Sequence, residues 1–284
     1  MTKELFCSPS IDSIGKTCYS KKDIIFLIKS YNRNKKTKHQ IEIVKKEKNI
    51  LWEELNNKLK KDCNNEWCWL EQDFVPAPYA KQKIKETFKP ETPEEWNKNP
   101  FEWLSSDDIR NVMKQYEKKY PSFLFIGPVP VDCPGSITCT LSGLDVNILI
   151  NRLGKTKLGI IYNLDKHDEP GSHWVSCFFD FKKCRILYFD SVGIPPPKMI
   201  LNFLIKMKES CKDYYFKTFG KEKKGKIYVN TTKFQFGNSE CGVFSLHFII
   251  SNLKGDNIHK MKKENINDKN MNDLRKKYYR PSVT

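Results

Sequence analysis

Apolar positions change their spacing several times along this 284-residue chain, and each change marks an element. Ile24, Ile25, Leu27 and Ile28 share one helical face, which predicts a helix over Lys21–Tyr31 with Ser20 as its cap. Leu51, Trp52, Leu55 and Leu59 predict a second helix over Ile50–Cys63, and the charged stretch Asn32–Lys48 separates the two. After WCWLEQDFVPAPYAKQ, the segment FKPETPEEWNKNP sets Pro90, Pro93 and Pro100 among charged residues and reads as a linker.

Beyond Pro100 the pattern alternates between the two periods. Ser105 or Ser106, followed by acidic residues, opens a helix whose face is Ile109, Val112, Met113 and Tyr116. FLFIGPVPV reads as a strand that its prolines end, followed by a short helix around Leu144–Arg152 and a strand at Leu158–Tyr162. HWVSCFFDF and RILYFD are short, aromatic and strand-like. Pro197 opens a helix running to Cys211, IYVN is a short strand, and GVFSLHFIISNL is a strongly apolar helix. Helices gathered at both ends of a run of strands predict an α+β fold. The expected organisation is a mostly helical N-terminal arm over residues 1–99 and a second domain over 100–284.

Composition narrows the class. At 39% apolar and 13% aromatic residues the chain can bury a core, and no apolar run is long enough to span a bilayer. MTKELFCSPSID lacks the features of a secretory leader, so a reducing compartment is expected. In that setting the ten cysteines are expected to be free thiols. The close pairs Cys63/Cys68, Cys133/Cys139 and Cys177/Cys184 lack the spacing of a zinc knuckle, so no metal and no cofactor is expected. The charge of +16 is concentrated in Lys217–Lys226 and in the tail after Leu253, with Lys260, Lys262, Lys263, Arg275, Lys276, Lys277 and Arg280. It reads as a solvated lysine-rich surface in a compositionally biased chain, with nucleic acid or an acidic membrane as the sharper alternative.

The candidate chemistry lies in two segments. A turn closing between Asp180 and Lys183 puts His173 opposite Asp190 at the open end of a hairpin, where a carboxylate can fix the imidazole tautomer. In FQFGNSECGVFSLHFI a polar loop gives way to an apolar helix at Cys241, with Asn238 or Ser239 as the expected cap. A cysteine in the first turn of a helix, with an imidazole beside it, is favoured as thiolate. Gln235, six residues earlier, can join the Cys241 N–H in binding a developing oxyanion, and Gly242 leaves room for a substrate backbone. Taken singly, each residue fits an ordinary structural role as well. Their joint arrangement points to a Cys-His enzyme. A non-enzymatic basic scaffold is the competing class.

The segments SHWVSCFFDF, YFDSVG and FQFGNSECGVFSLHFI together resemble the ubiquitin-like-protein-specific protease superfamily, which includes the adenovirus protease. His173-Trp174, Asp190-Ser191, Gln235 and Cys241-Gly242 match its motifs in order, and WLSSDDI resembles its opening helix. The likeness spans roughly Trp103 to Leu253, with Glu240 where cellular members usually carry Asp. It implies a papain-like core, a His173–Asp190–Cys241 triad with Gln235 as oxyanion donor, and Trp174 and Gly242 on the substrate side. The first hundred residues resemble the arm of proteases from large cytoplasmic DNA viruses. The resemblance implies a protein substrate: a viral structural polyprotein cut after Gly-Gly-like sites, or a conjugate of a ubiquitin-like modifier. An acyltransferase on the same fold is a further possibility. Host cytoplasm and virion are the expected locations.

Overall fold

The computed structural model describes residues 5–11, 16–33, 39–135, 139–256 and 258–282. Part of the charged stretch, 34–38, lies outside the described residues. The chain divides into two units, Met1–Thr92 with Tyr278–Thr284, and Pro93–Lys277. The division thus falls at 92/93 rather than at Pro100, and the last seven residues join the N-terminal unit.

The N-terminal unit is built on helices α1 (Lys21–Arg33), α2 (Lys48–Leu59) and α3 (Ala77–Thr87). The Ser20 hydroxyl accepts from the Asp23 N–H at 3.2 Å while the Asp23 carboxylate accepts from the Ser20 N–H at 3.0 Å. This reciprocal cap starts α1 where the sequence pattern places it, and such caps contribute about 1 kcal/mol. Ile24, Leu27 and Ile28 pack with Leu51 and Leu55 around a centre of Tyr19, Trp67, Trp69 and Phe88. The returning segment pairs Arg280 with Glu91, and the Arg280 guanidinium lies 5.1 Å from the Trp67 ring centre.

The larger unit opens with α4 (Ser106–Lys119), capped by Ser105 in a capping box with Asp108. Strands β1 (Phe123–Pro130), β2 (Lys157–Asn163), β3 (Trp174–Asp180), β4 (Arg185–Phe189) and β5 (Lys226–Val229) form one sheet in the order 1-2-3-4-5. The outer pairs, β1/β2 and β4/β5, are parallel, and the inner pairs are antiparallel. β1 continues through Pro128 instead of ending there, by means of a register shift between Ile126 and Val129 that absorbs the missing donor. Every residue of β3 is buried, because helices cover both of its faces. On one face α5 (Lys198–Phe219) contributes Ile200, Phe203, Leu204 and Met207 to a core with Tyr162, Val175, Cys177 and Tyr188. On the other lies α6 (Cys241–Lys254), whose Phe248 stacks on Phe189 at 4.7 Å. The near-continuous burial of α6 explains its all-round apolar sequence. Helices α7 (Ile258–Lys263) and α8 (Asp268–Tyr278) follow. The mixed sheet with flanking helices is the α+β architecture expected. No described helix is long and apolar enough to cross a membrane.

Two expectations are corrected here. Eight of the ten cysteines are paired, as Cys7–Cys18, Cys63–Cys68, Cys133–Cys139 and Cys184–Cys211, leaving Cys177 and Cys241 free. Their Cα separations of 5.2 to 5.9 Å suit a disulfide, and three of the pairs close short loops that no compartment rule can detect. The tail is also not a mere charge run: Arg275 and Arg280 are buried, and α8 is a built part of the unit it ends.

Candidate active site

His173 stands immediately before β3. Its carbonyl accepts from the Leu164 N–H at 2.9 Å, so the residue is held in the sheet's frame although it lies outside the strand. Gly171, at φ +98°, makes the preceding turn, and a Cβ there would come within 2.5 Å of the Asn163 amide nitrogen. Asp190 follows β4 directly and is fully buried. Its Oδ1 meets His173 Nε2 at 2.9 Å and also accepts from the Val192 N–H at 2.8 Å.

The pair forms, but not in the register expected. β3 and β4 align Asp180 with Arg185 and Ser176 with Phe189, two residues away from the expected pairing. The helical turn Phe181–Lys183 and Cys184, at φ +45°, take up the two extra residues. An even slip preserves the face on which each side chain points, so His173 reaches Asp190 diagonally instead of straight across.

Cys241 opens α6 and is 1% exposed. The Cys241 thiol lies close enough to His173 to act on its titration together with Asp190. Burial alone would depress the imidazole pKa. The hydrogen bonds to Asp190 and Cys241, with the charges on both, outweigh it and lift the pKa to about 9. The expected cap of α6 is corrected: Glu240 occupies the N-cap position and makes no side-chain cap, while the Ser239 hydroxyl is bonded to the Glu240 carboxylate at 3.0 Å. The first turn of α6 is therefore free of a side-chain acceptor at the end where the helix dipole is positive.

Gln235 is buried on the loop before α6. Ser191 holds it twice: its hydroxyl donates to Gln235 Oε1 at 2.6 Å and its carbonyl accepts from the Gln235 N–H at 2.9 Å. This fixes the amide with Nε2 directed away from Ser191, where it donates to the Gly237 carbonyl at 3.0 Å. Asn230 ties the same region together, donating to the carbonyls of Asp190 at 2.7 Å and Thr232 at 2.8 Å. Neither role was read from the sequence. The signals were a Ser directly after the candidate Asp and an Asn closing a short strand.

Trp174 and Gly242 pack together against Leu104. The Trp174 indole is buried and donates to the Leu104 carbonyl at 3.0 Å. A Cβ on Gly242 would lie 3.1 Å from Leu104 Cβ and 3.2 Å from Trp174 Cδ1, so this glycine lets α6 pack tightly there. Trp103, next to Leu104, is 38% exposed. His167 is exposed and bonded to Asp132 at 2.7 Å, away from the cluster.

The cluster thus joins a buried carboxylate, an imidazole, a thiol at a helix N-terminus and an oriented amide, the set a thiol acyl-transfer site requires. The Ulp1 protease family, C-terminal catalytic domain, matches residues 160–282. A protein of Acanthamoeba polyphaga mimivirus named as a thiol protease is 31% identical, over 96% of this chain and 93% of its own length. A cysteine protease of African swine fever virus is 24% identical, over 77% of this chain and 83% of its own. The crystal structure of the African swine fever virus protease shares the fold, with a TM-score of 0.68 at 21% identity over 99% of this chain and 97% of that one.

Proposed function

The chain belongs to the Ulp1 family of thiol proteases, and from that premise we propose that it is a cysteine endopeptidase that cuts polyproteins after Gly-Gly-like pairs. The observation that carries this is the bond from His173 to the buried Asp190, with Cys241 acting on the same imidazole from the start of α6. In the proposed mechanism the Cys241 thiolate attacks the scissile carbonyl carbon. The Cys241 N–H and the Gln235 amide hold the resulting oxyanion. His173, as imidazolium, gives its proton to the departing amine as the C–N bond breaks, leaving a thioester on Cys241. Neutral His173 then takes a proton from water, the hydroxide displaces the thiolate, and the carboxylic product leaves. Asp190 orients the ring and stabilises its charge throughout.

Two features support the preference for small residues. A nucleophile that is 1% exposed must be reached by a thin segment of chain, and glycine is the thinnest. Trp103 offers an apolar wall beside the approach. The N-terminal unit is assigned to substrate recruitment, and the site of action to the host cytoplasm and virion. A second reading, deconjugation of a ubiquitin-like modifier, is favoured by relatives in African swine fever virus named SUMO-1 cysteine proteases. Gly-Gly-Xaa peptides and isopeptide-linked modifier conjugates, offered side by side to wild type and Cys241→Ala, separate the readings. Cleavage of conjugates alone would overturn the first. Hydrolysis of neither would overturn both.

A further inference from the structure

The loop between the two oxyanion donors, Phe236 to Glu240, is gripped from outside by one face of α8. Asp268, Asn272 and Arg275 are spaced four and three residues apart, which aligns them along a helix. Asp268 Oδ2 accepts from the N–H groups of Phe236 at 2.9 Å and Gly237 at 3.0 Å. Asn272 Nδ2 donates to Glu240 Oε1 at 3.4 Å, and Arg275 Nη2 to the Ser239 carbonyl at 2.9 Å. Arg275 is itself fixed: it is 3% exposed, donates through Nη1 to the Glu102 carbonyl at 2.6 Å and lies 4.6 Å from the Trp96 ring centre. The loop also closes on an anchor of its own. The Ser239 N–H donates to Glu240 Oε2 at 3.1 Å, and a Cβ on Gly237 would come within 2.7 Å of that same oxygen.

We propose that α8 is the gauge of the oxyanion pocket: Asp268, with Asn272 and Arg275, is a positioning residue that sets the spacing between the Gln235 amide and the Cys241 N–H. The inference rests on Gln235 and the Cys241 N–H being the oxyanion donors. Five residues join them, and three α8 side chains hold four of those five. A donor pair works only when both N–H groups stand about 3 Å from where the oxygen will be, so slack in this loop acts on the transition state and hardly on the bound substrate. The thiolate–imidazolium pair depends on the ends of β3 and β4 and the first turn of α6, whereas Asp268 touches the loop at Phe236 and Gly237, the end away from Cys241.

The test uses the full chain on one peptide substrate, with melting temperature confirming the fold of each variant. Asp268→Ala is expected to lower kcat by about tenfold or more with KM within twofold, while the rate of Cys241 alkylation stays within twofold of wild type. Asp268→Asn, whose amide oxygen can still accept the two N–H groups, should recover most of the turnover. Gly237→Ala, which spreads the loop from inside and leaves every α8 side chain unchanged, should give the same signature as Asp268→Ala. In a Gln235→Ala background the further cost of Asp268→Ala should shrink below about threefold, since the spacing no longer matters once one donor is gone. Unchanged kcat, alkylation falling in step with kcat, or a full cost persisting without Gln235 would each overturn the gauge. If Gln235→Ala alone keeps full turnover, the donor assignment fails and the gauge with it. A damaged Gln235→Ala beside an undamaged Asp268→Ala sinks the gauge alone.

Discussion

Replacing Asp190 with Asn tests how the site keeps its imidazole charged. His173 titrates near 9 instead of 6.5, a difference of about 3 kcal/mol in favour of the imidazolium. Its side chain is only 19% exposed and Asp190 is wholly buried, so solvent screens little of this. Burial opposes the charge, and two partners overcome it, Asp190 and Cys241. In Asp190→Asn the amide oxygen can still accept the imidazole N–H, but the buried negative charge is gone. If Asp190 supplies about half of the gain, the titration falls by about one pH unit and kcat/KM by about tenfold. The sign follows from the raised pKa. Protonated His173 stabilises the fold fully below pH 6.5, and that contribution fades as pH rises and is lost above about 9. Peptide cleavage should therefore hold to alkaline pH in wild type and fall near 9, with the limb moved to lower pH in Asp190→Asn. His173→Ala should be inactive. His167→Ala should keep the wild-type profile, since His167 pairs with Asp132. The pH profile of kcat/KM for the four proteins is the assay. An alkaline limb at the same pH in wild type and Asp190→Asn, or a loss in Asp190→Asn equal to that in His173→Ala, would refute the account.

Three further outcomes are expected. Gln235→Ala should lower kcat roughly a hundredfold with a small change in KM, whereas a raised KM at unchanged kcat would move Gln235 to substrate binding. Without reductant, an alkylating reagent followed by peptide mapping should label Cys241 and leave Cys177 unlabelled in the folded protein, because burial holds the Cys177 thiol well above its usual pKa. Equal labelling of the two would remove the special status of Cys241. On the proposal that Trp103 walls the approach, Trp103→Ala should raise KM several-fold at near-normal kcat in steady-state kinetics, and an unchanged KM would remove that role.

The residues of the proposed triad could be singled out because each sits where one kind of element gives way to another, and such junctions show in the pattern. The pairing that brings two of them together was legible only in part. Cys184 in a left-handed conformation adds two residues to a turn that reads as tight, yet the slip is even and the face survives. A slip of one residue would have turned His173 away from Asp190. The packing of Trp174 and Gly242 against Leu104 was not legible, because a motif records that residues recur together and not what they touch. The α8 grip was hidden for a different reason. Asp268, Asn272 and Arg275 stand among lysines and asparagines that make the segment read as compositional bias, and only the fold brings them to a loop about thirty residues earlier.

The placement of residues 278–284 has a consequence in time. The N-terminal unit begins to emerge first from a ribosome, but Arg280, whose backbone bonds to Pro90 and Thr92, is made only after the whole of Pro93–Lys277. At 5–20 residues per second that wait is about ten to forty seconds. The helix that grips the active-site loop is made in the same late stretch. A nascent chain therefore carries Cys241 before the α8 side chains that hold the loop in front of it.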